Sequence, residues 1–359
     1  MRKARCVTTS LVVGLSCLVL FAGTQAPESL VPQLDLRGGS SALCPTPDQL
    51  SLSRPGTNEP TDVGVGIFLN DVVALDDVTQ SLTADLFLIL RWTDARLADP
   101  GRGSSQAVCT LPREAMWTPV VQARGLRRSE SLYEDINAID AAGTVTFARR
   151  VIAEISVPLD LRDFPFDRHT LTIEIETVYS GVDEVRLLPL EGLSGMADRL
   201  SITGWVIGVP TVTVEIQSAP RLQINHSVFR FAVELRRESS FYVWKMIAPL
   251  TLIIFMSWAV FWIDPQQIAR IGLSATAILT LIAYQFAFAG LLPRISYLTR
   301  ADRFTLSSSI LVFLALVEAV MASRLTRQGR VEASNRLDRC SRVAFPIALA
   351  GIIAFSFYM

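Results

Sequence analysis

Few side chains in this 359-residue sequence are suited to making and breaking bonds. His169 and His226 are the two histidines. No cluster has metal-ligand spacing, no glycine-rich phosphate loop occurs, and the carboxylates scatter over stretches that read as strands and turns. The pattern argues against an enzyme and predicts no metal and no cofactor. What it offers is a physical device. In an apolar run from Arg270 to Pro293, the residues Gly272, Thr276, Leu279, Ala283 and Phe286 fall four, three, four and three positions apart. A 3.6-residue helix places them on one face. Small and hydroxylated residues hold one end of that stripe while Leu279 and Phe286 hold the other. Several copies around a water-filled axis, closed by apolar rings, would need such a face. A buried helix of an ordinary membrane bundle, with small residues allowing close packing, is the alternative. In the pore reading, Ile268, Ala269 and Arg270 stand at the mouth, where a ring of identical side chains sets ion preference.

Such a helix needs a membrane and a scaffold. Half of the residues are hydrophobic and the net charge is -1, with a mean hydropathy of +0.38. That is apolar for a soluble protein, and the balanced charge suggests no nucleic-acid partner. Arg2-Lys3-Ala4-Arg5, the apolar Leu11 to Phe21 and the small residues before Ala26 read as a secretory signal peptide over 1–26. Export would put Cys44 and Cys109 in an oxidising compartment where they could pair, and Cys340 beside a basic, cytoplasmic-looking segment. Residues 27–60 are rich in Pro, Gly and Ser and predict a flexible N-terminal segment. Strict alternation then marks strands at Leu171 to Glu176, Thr211 to Ile216 and Phe229 to Arg236, with similar runs at Leu82 to Trp92 and Val151 to Val157. Many strands without helical runs predict an antiparallel β-sandwich over 61–240.

From Phe241 the composition turns apolar, and residues 241–359 predict four transmembrane helices, at about 244–263, 267–291, 303–323 and 341–358. Trp244 and Trp262 flank the first at interfacial positions. The loop at about 324–340, with Arg324, Arg327, Arg330, Arg336 and Arg339, is expected to be cytoplasmic, which leaves both chain ends outside. Arg294, Arg300 and Arg303 run against that charge rule, unless their loop meets an acidic partner domain. Glu318 reads as a buried polar contact inside the third span.

Specific residues then name a family. Pro158-Leu159-Asp160-Leu161-Arg162-Asp163-Phe164-Pro165-Phe166-Asp167 is similar to the signature loop of the pentameric ligand-gated (Cys-loop-like) ion channels. Trp92-Thr93-Asp94, Met116-Trp117-Thr118-Pro119, Thr203-Gly204-Trp205, Leu292-Pro293-Arg294 and Arg342-Val343-Ala344-Phe345-Pro346 resemble its prokaryotic branch in order. The two cysteines that bracket the loop in metazoan members are replaced by Val157 and Leu171, so apolar packing must hold the loop base.

The resemblance implies an extracellular or periplasmic, immunoglobulin-like β-sandwich followed by a four-helix transmembrane bundle in a cell membrane. It also implies a homopentamer in a lipid bilayer that passes inorganic ions when a small molecule or protons act as agonist. Asp77, Asp167, Arg237, Pro293 and Tyr297 occupy the family's coupling positions, where charged pairs transmit the push of the sandwich. For the agonist site the implied residues are Phe87 and one of Val178 and Tyr179. The capping loop lacks aromatics other than His226, a poor cage for an amine. Arg124, Arg149 and His226 would instead favour an anionic or proton-sensitive ligand, since histidine titrates near neutrality. Ala269-Arg270-Ile271-Gly272-Leu273 is similar to anion-selective members, although Ile268 replaces their proline. The rival is a non-conducting membrane sensor or binding protein, which leaves the stripe without a reason.

Overall fold

The computed structural model describes residues 42–43, 52–56, 59–99, 109–219, 224–288 and 295–358. The signal peptide, Cys44, Pro293 and Arg294 lie outside them. The strands are β1 (Ala42–Leu43), β2 (Thr61–Asp76), β3 (Ser81–Thr93), β4 (Cys109–Thr110), β5 (Val121–Ala123), β6 (Leu126–Ser131) and β7 (Ile136–Ile139). There follow β8 (Thr144–Ser156), β9 (Arg168–Thr177), β10 (Val185–Pro189), β11 (Gly195–Met196), β12 (Trp205–Ile207), β13 (Thr211–Ala219) and β14 (Ile224–Arg237). One sheet runs β1-β4-β7-β8-β3-β2-β10, with β11 added on β2 and β6 on β8. The other runs β12-β14-β9-β5, with β13 on β14.

Alternation explains the layering. Leu171, Ile173 and Ile175 of β9 and Phe229, Phe231, Val233 and Leu235 of β14 are buried, while Glu174, Glu176 and Arg230 point to the opposite face. The core closes against Leu82, Leu86, Leu90 and Trp92 of β3 and Val145, Phe147 and Ile155 of β8. Val157 and Leu171, at the base of the signature loop, both belong to this core. The sandwich is not purely antiparallel: β1 pairs parallel with β4, and β10 and β11 pair parallel with β2. Those strands reach the sheet edge by crossing over instead of through a hairpin, so nothing forces them to reverse. The stretch expected to be loose thus contributes β1. Cys109, beside it, is disulfide-bonded, and its partner lies outside the described residues.

Among the described residues four helices are long and apolar enough to cross a membrane. They are α1 (Ser240–Trp262), α2 (Ile268–Phe288), α3 (Arg300–Arg327) and α4 (Val331–Tyr358). A capping box opens α3: Thr299 accepts from the Asp302 N–H while the Asp302 carboxylate accepts from the Thr299 N–H. The long basic loop expected at about 324–340 is instead a tight hairpin. Gly329 takes φ +77°, and the N–H groups of Gly329 and Arg330 bond the carbonyls of Thr326 and Leu325. Only three residues separate α3 from α4, and 331–340 are helical. Charge disguises that stretch of helix because it lies on the outer face: Arg336 and Arg339 are exposed while Ser334 and Asp338 are buried.

The helices have their own apolar core, including Leu250, Ile254, Leu281, Leu311 and Phe345. The sandwich core continues into Met246 of α1 and Ala301 of α3. The two modules therefore share a packed boundary.

Candidate functional site

The boundary is built around Arg237, the last residue of β14. In the turn before β3, Asp76 accepts from the N–H groups of Val78 and Thr79 at 2.7 and 3.1 Å, which tightens the turn and leaves Asp77 to project. Arg237 donates to both Asp77 oxygens at 2.8 and 2.9 Å and to both Asp167 oxygens at 2.8 and 3.0 Å. A fifth bond, of 3.3 Å, reaches the Tyr242 hydroxyl in α1. All five guanidinium N–H groups are used. The guanidinium carbon also lies 4.1 Å from the Trp205 ring centroid and 5.0 Å from that of Phe164.

Side-chain exposures of 3% for Arg237, 1% for Asp167 and 15% for Asp77 make this a desolvated cluster. Burial by itself would raise the pKa of Asp167, but hydrogen bonds from His169, at 2.6 Å, and from Arg237 outweigh it and hold that carboxyl below its usual range. Burial would lower the pKa of Arg237. The bonds to Asp77 and Asp167 reverse this and raise it further.

The rest of the signature loop grips the helices. Tyr297 accepts at its hydroxyl from the Leu161 N–H at 3.1 Å, and the Arg162 guanidinium sits 4.8 Å from the Tyr297 ring centroid. Arg300 donates to Asp163 at 2.9 Å, so one of the basic residues that broke the charge rule does meet an acidic loop. Phe164 packs edge-on against Tyr242 of α1, and Phe166 against Phe357 of α4. The structure thus brings Asp77, Asp167, Arg237 and Tyr297 into one boundary.

The expected ligand residues split into two groups. On the outer face of the second sheet, Arg124 donates to Glu174 and Glu176, both at 2.6 Å, and to Gln217 at 3.0 Å. His226 lies 3.4 Å from Glu176. Burial favours the protonated form of Glu176, yet Gln122, Arg124 and His226 together pull its pKa down. Val178 and Tyr179 follow directly on β9, with Tyr179 exposed. Phe87 and Arg149 do not join them. Phe87 lies on the other sheet beneath Arg150, which pairs with Asp85, and Arg149 projects from β8 and pairs with Asp135 at 2.6 Å. Glu174, Glu176, Gln217, Arg230 and Glu215 complete the charged face but were not singled out from the sequence. Their signal was present in the polar positions that alternate with Ile173, Ile175 and Phe229.

On α2, Gly272, Thr276, Leu279, Ala283 and Phe286 all face away from the other helices of this chain, with Leu279 69% and Phe286 78% exposed. Ser274, Ala277 and Leu281 are buried on the opposite side. Ile268 and Ala269 are exposed at the start of the helix. Arg270, expected beside them, corrects that reading: it is 0% exposed and turned inward. It donates to Glu318 of α3 at 2.8 Å and to both oxygens of Asp338 of α4 at 2.7 and 3.1 Å. Two carboxylates hold it because an unpaired guanidinium in that apolar surrounding would be far costlier.

Two family models match the chain in order. The one described as neurotransmitter-gated ion-channel ligand binding domain covers residues 50–236, and that of the neurotransmitter-gated ion-channel transmembrane region covers 246–345. The chain is 29% identical over 317 residues to a proton-gated ion channel of Gloeobacter violaceus, covering 87% of each. It is 27% identical over 288 residues to the glycine receptor subunit beta of Rattus norvegicus, covering 77% of this chain and 58% of that subunit. It is 26% identical over 288 residues to the gamma-aminobutyric acid receptor subunit rho-1 of Homo sapiens, covering 76% and 59%. The chain therefore spans less than two thirds of the length of those two receptor subunits. A two-sheet sandwich followed by four membrane-length helices is the architecture of a ligand-gated channel subunit, and this chain belongs to the neurotransmitter-gated ion channel family, within the Cys-loop superfamily.

Proposed function

We propose that this chain is one subunit of a homopentameric ligand-gated ion channel whose pore is lined by the α2 stripe. The sandwich stands on the extracellular or periplasmic side, and agonist, a small molecule or protons, acts at the interfaces between sandwiches. The observation that carries this reading is the exposed stripe itself. Gly272, Thr276, Leu279, Ala283 and Phe286 are left uncovered by this chain's other helices, while the reverse face of α2 is packed.

Lipid alone would favour an apolar stripe throughout, whereas Thr276 and Gly272 suit water. Rings of Leu279 and Phe286 close the conduit by excluding water, and no bond has to break for it to open. The sandwich drives that change through Arg237 and the signature loop, which touch α1, α3 and α4 together. Pro293, outside the described residues, and Tyr297 belong to the receiving segment. Ile268 and Ala269 flank the inner mouth; the nearest exposed acid is Asp264, in the turn before α2, and the uncharged side chains at the start of the helix itself favour anions or weak selectivity. The charged face around Arg124, Glu176 and His226, beside Val178 and Tyr179, is the principal side of the agonist site, with Phe87 on the complementary side.

The test is ion flux from purified protein in liposomes, screened against amines, acids, divalent ions and pH. Agonist-dependent flux with a reversal potential that follows either chloride or sodium supports the channel. Binding without flux, in wild type and in Leu279→Ser alike, would assign the chain to a non-conducting sensor.

A further inference from the structure

We propose that the outward face of the second sheet, at its membrane end, binds the headgroup of an aminophospholipid, with Arg168 and Arg236 on the phosphate and Glu234 on the ammonium. The site lies apart from the conduit and from the charged face around Arg124. It requires that the sandwich stand on a membrane, not that the chain conduct.

A hollow of about 420 Å³ crosses β9, β14 and β12. Strand register sets its side chains in rows. In one row Arg168 of β9 stands opposite Arg236 of β14, which in turn stands opposite Val206 of β12. In the next row Thr170 stands opposite Glu234. These side chains are all exposed. Gly208 completes the second row by donating its N–H to the Glu234 carbonyl at 2.7 Å. A Cβ on Gly208 would lie 3.3 Å from that of Glu234, so the glycine keeps the floor of the hollow open.

Two observations point to a guest. Like charges directly opposite in an antiparallel pair, with Cβ atoms about 5 Å apart, repel each other. The other two arginines of β14 are paired, Arg230 with Glu174 and Glu215 and Arg237 with Asp77 and Asp167. Among the described residues no carboxylate pairs with Arg168 or Arg236. The second observation is Glu234, the one acid that lines the hollow, which likewise has no cation partner among the described residues. It stands two residues from Arg236, about 7 Å along the strand. A guest that carries an anion and a cation a short span apart satisfies all three groups, and phosphoethanolamine places its ammonium two carbons beyond a phosphate oxygen. Two guanidinium forks suit phosphate, and the carboxylate suits the ammonium.

Position identifies the source as lipid. Phe166, two residues before Arg168, is exposed and packs on Phe357, at the sandwich end of α4. Arg236 stands four residues before Ser240, where α1 begins. The 23 residues of α1 span about 34 Å against about 30 Å of hydrocarbon, so its start lies in the headgroup layer. The arginine row thus faces the membrane and Glu234 lies one row farther out. A headgroup presents its phosphate and its amine in the same order. Phosphatidylglycerol or inorganic phosphate would leave Glu234 unused.

Native mass spectrometry of the assembled protein tests this, after incubation in detergent with equimolar phosphatidylethanolamine and phosphatidylglycerol of matched acyl chains. The expected result is preferential retention of phosphatidylethanolamine, at one per subunit. Arg168→Gln and Arg236→Gln should each weaken retention about fivefold. Glu234→Gln should reverse the preference toward phosphatidylglycerol. The three positions are exposed, so these changes leave the core intact. Retention unchanged in the Arg168→Gln, Arg236→Gln double variant, or a lipid preference unchanged in Glu234→Gln, overturns the proposal. Displacement of the lipid by free phosphoethanolamine at equal concentration also overturns it, in favour of a soluble ligand. No arm reads flux, so failure of this site and failure of the channel reading are separate results.

Discussion

Replacing Arg237 with glutamine removes the one cation that two carboxylates share at the boundary between sandwich and helices. Its five hydrogen bonds run at 2.8–3.3 Å, and its partners Asp167 and Asp77 keep side-chain exposures of only 1% and 15%. Loss of one partner of a buried ion pair costs about 3–5 kcal/mol, mostly because the remaining charge is left uncompensated. Here two carboxylates remain, so the upper half of that range applies. Asp77→Asn is milder, since it leaves a balanced Arg237–Asp167 pair, and one charged hydrogen bond is worth about 1.5–3 kcal/mol. Residues in one network do not add. The double variant is expected to be less damaged than the sum of the two singles by more than about 1 kcal/mol.

The assay is a double-mutant cycle read in two ways. One is thermal unfolding of the assembled protein, and the other is the agonist concentration for half-maximal liposome flux. Arg237→Gln should assemble and bind agonist but fail to open, while the double variant should recover part of the response. Two results would refute the reasoning: normal flux in Arg237→Gln, or single effects that add within about 0.5 kcal/mol in both readouts. Loss of assembly in Arg237→Gln alone leaves the decision to Asp77→Asn. If that variant assembles with an unchanged agonist response, the boundary cluster is structural and does not transmit.

Other perturbations have expected outcomes of their own. Leu279→Ser makes the proposed apolar ring wettable, so basal flux or agonist sensitivity should rise about tenfold or more, and an unchanged response would place the closure elsewhere. Asp167 has a depressed folded pKa, so its stabilising contribution is complete above the unfolded value of about 3.9 and fades as pH falls through the lower folded one. The melting temperatures of wild type and Asp167→Asn should therefore stay apart between pH 5 and pH 8 and converge only in stronger acid, on the order of pH 4 and below. Convergence near pH 6 would contradict the ion-pair geometry. Arg270→Gln should lower thermal stability by about 3–5 kcal/mol and leave the reversal potential unchanged, whereas Ala269→Glu should shift it toward cations; the opposite pattern would mean that Arg270 faces the conduit.

The elements that were legible in the sequence are those with a short period. Alternation in Leu171 to Glu176 and in Phe229 to Arg236 identifies β9 and β14 because each such strand has one face in the core. The 3.6-residue stripe on α2 was legible for the same reason. Asp77, Asp167 and Arg237 are separated by up to 160 positions, and a pairing of that span has no local pattern, so only resemblance located it. Arg270 is a different case, because helix geometry already contained the answer. It stands two residues before Gly272, about 200° around the axis, and shares its 4-3-4 spacing with Ser274, Ala277 and Leu281, the packed face. Reading the mouth as a linear segment hid that rotation. The charged start of α4 reads as loop by polarity alone, although Ser334 and Asp338 fall one helical turn apart on a buried face.

The two ends of α2 are held by unequal interactions. At its start Arg270 ties it to α3 and α4 through three charged bonds of 2.7–3.1 Å, and a fourth bond reaches the Ile263 carbonyl at 3.2 Å. Toward its other end, among the described residues, the bonds to neighbouring helices include neutral ones from Tyr284 to the Met246 carbonyl and from Gln285 to Ser309 at 2.6 Å. Neutral hydrogen bonds contribute about 0.5–1.5 kcal/mol each, several-fold less than breaking a buried ion pair costs. A tilt of α2 is therefore expected to keep Arg270 in place and to exchange partners at Tyr284 and Gln285. Leu279 and Phe286 lie along the half of the helix that such a tilt would move farthest, and Ile268 and Ala269 lie beside its pivot. The proposed apolar closure and the proposed ion-selecting mouth would thus be mechanically separate, so that one could widen while the other kept its shape.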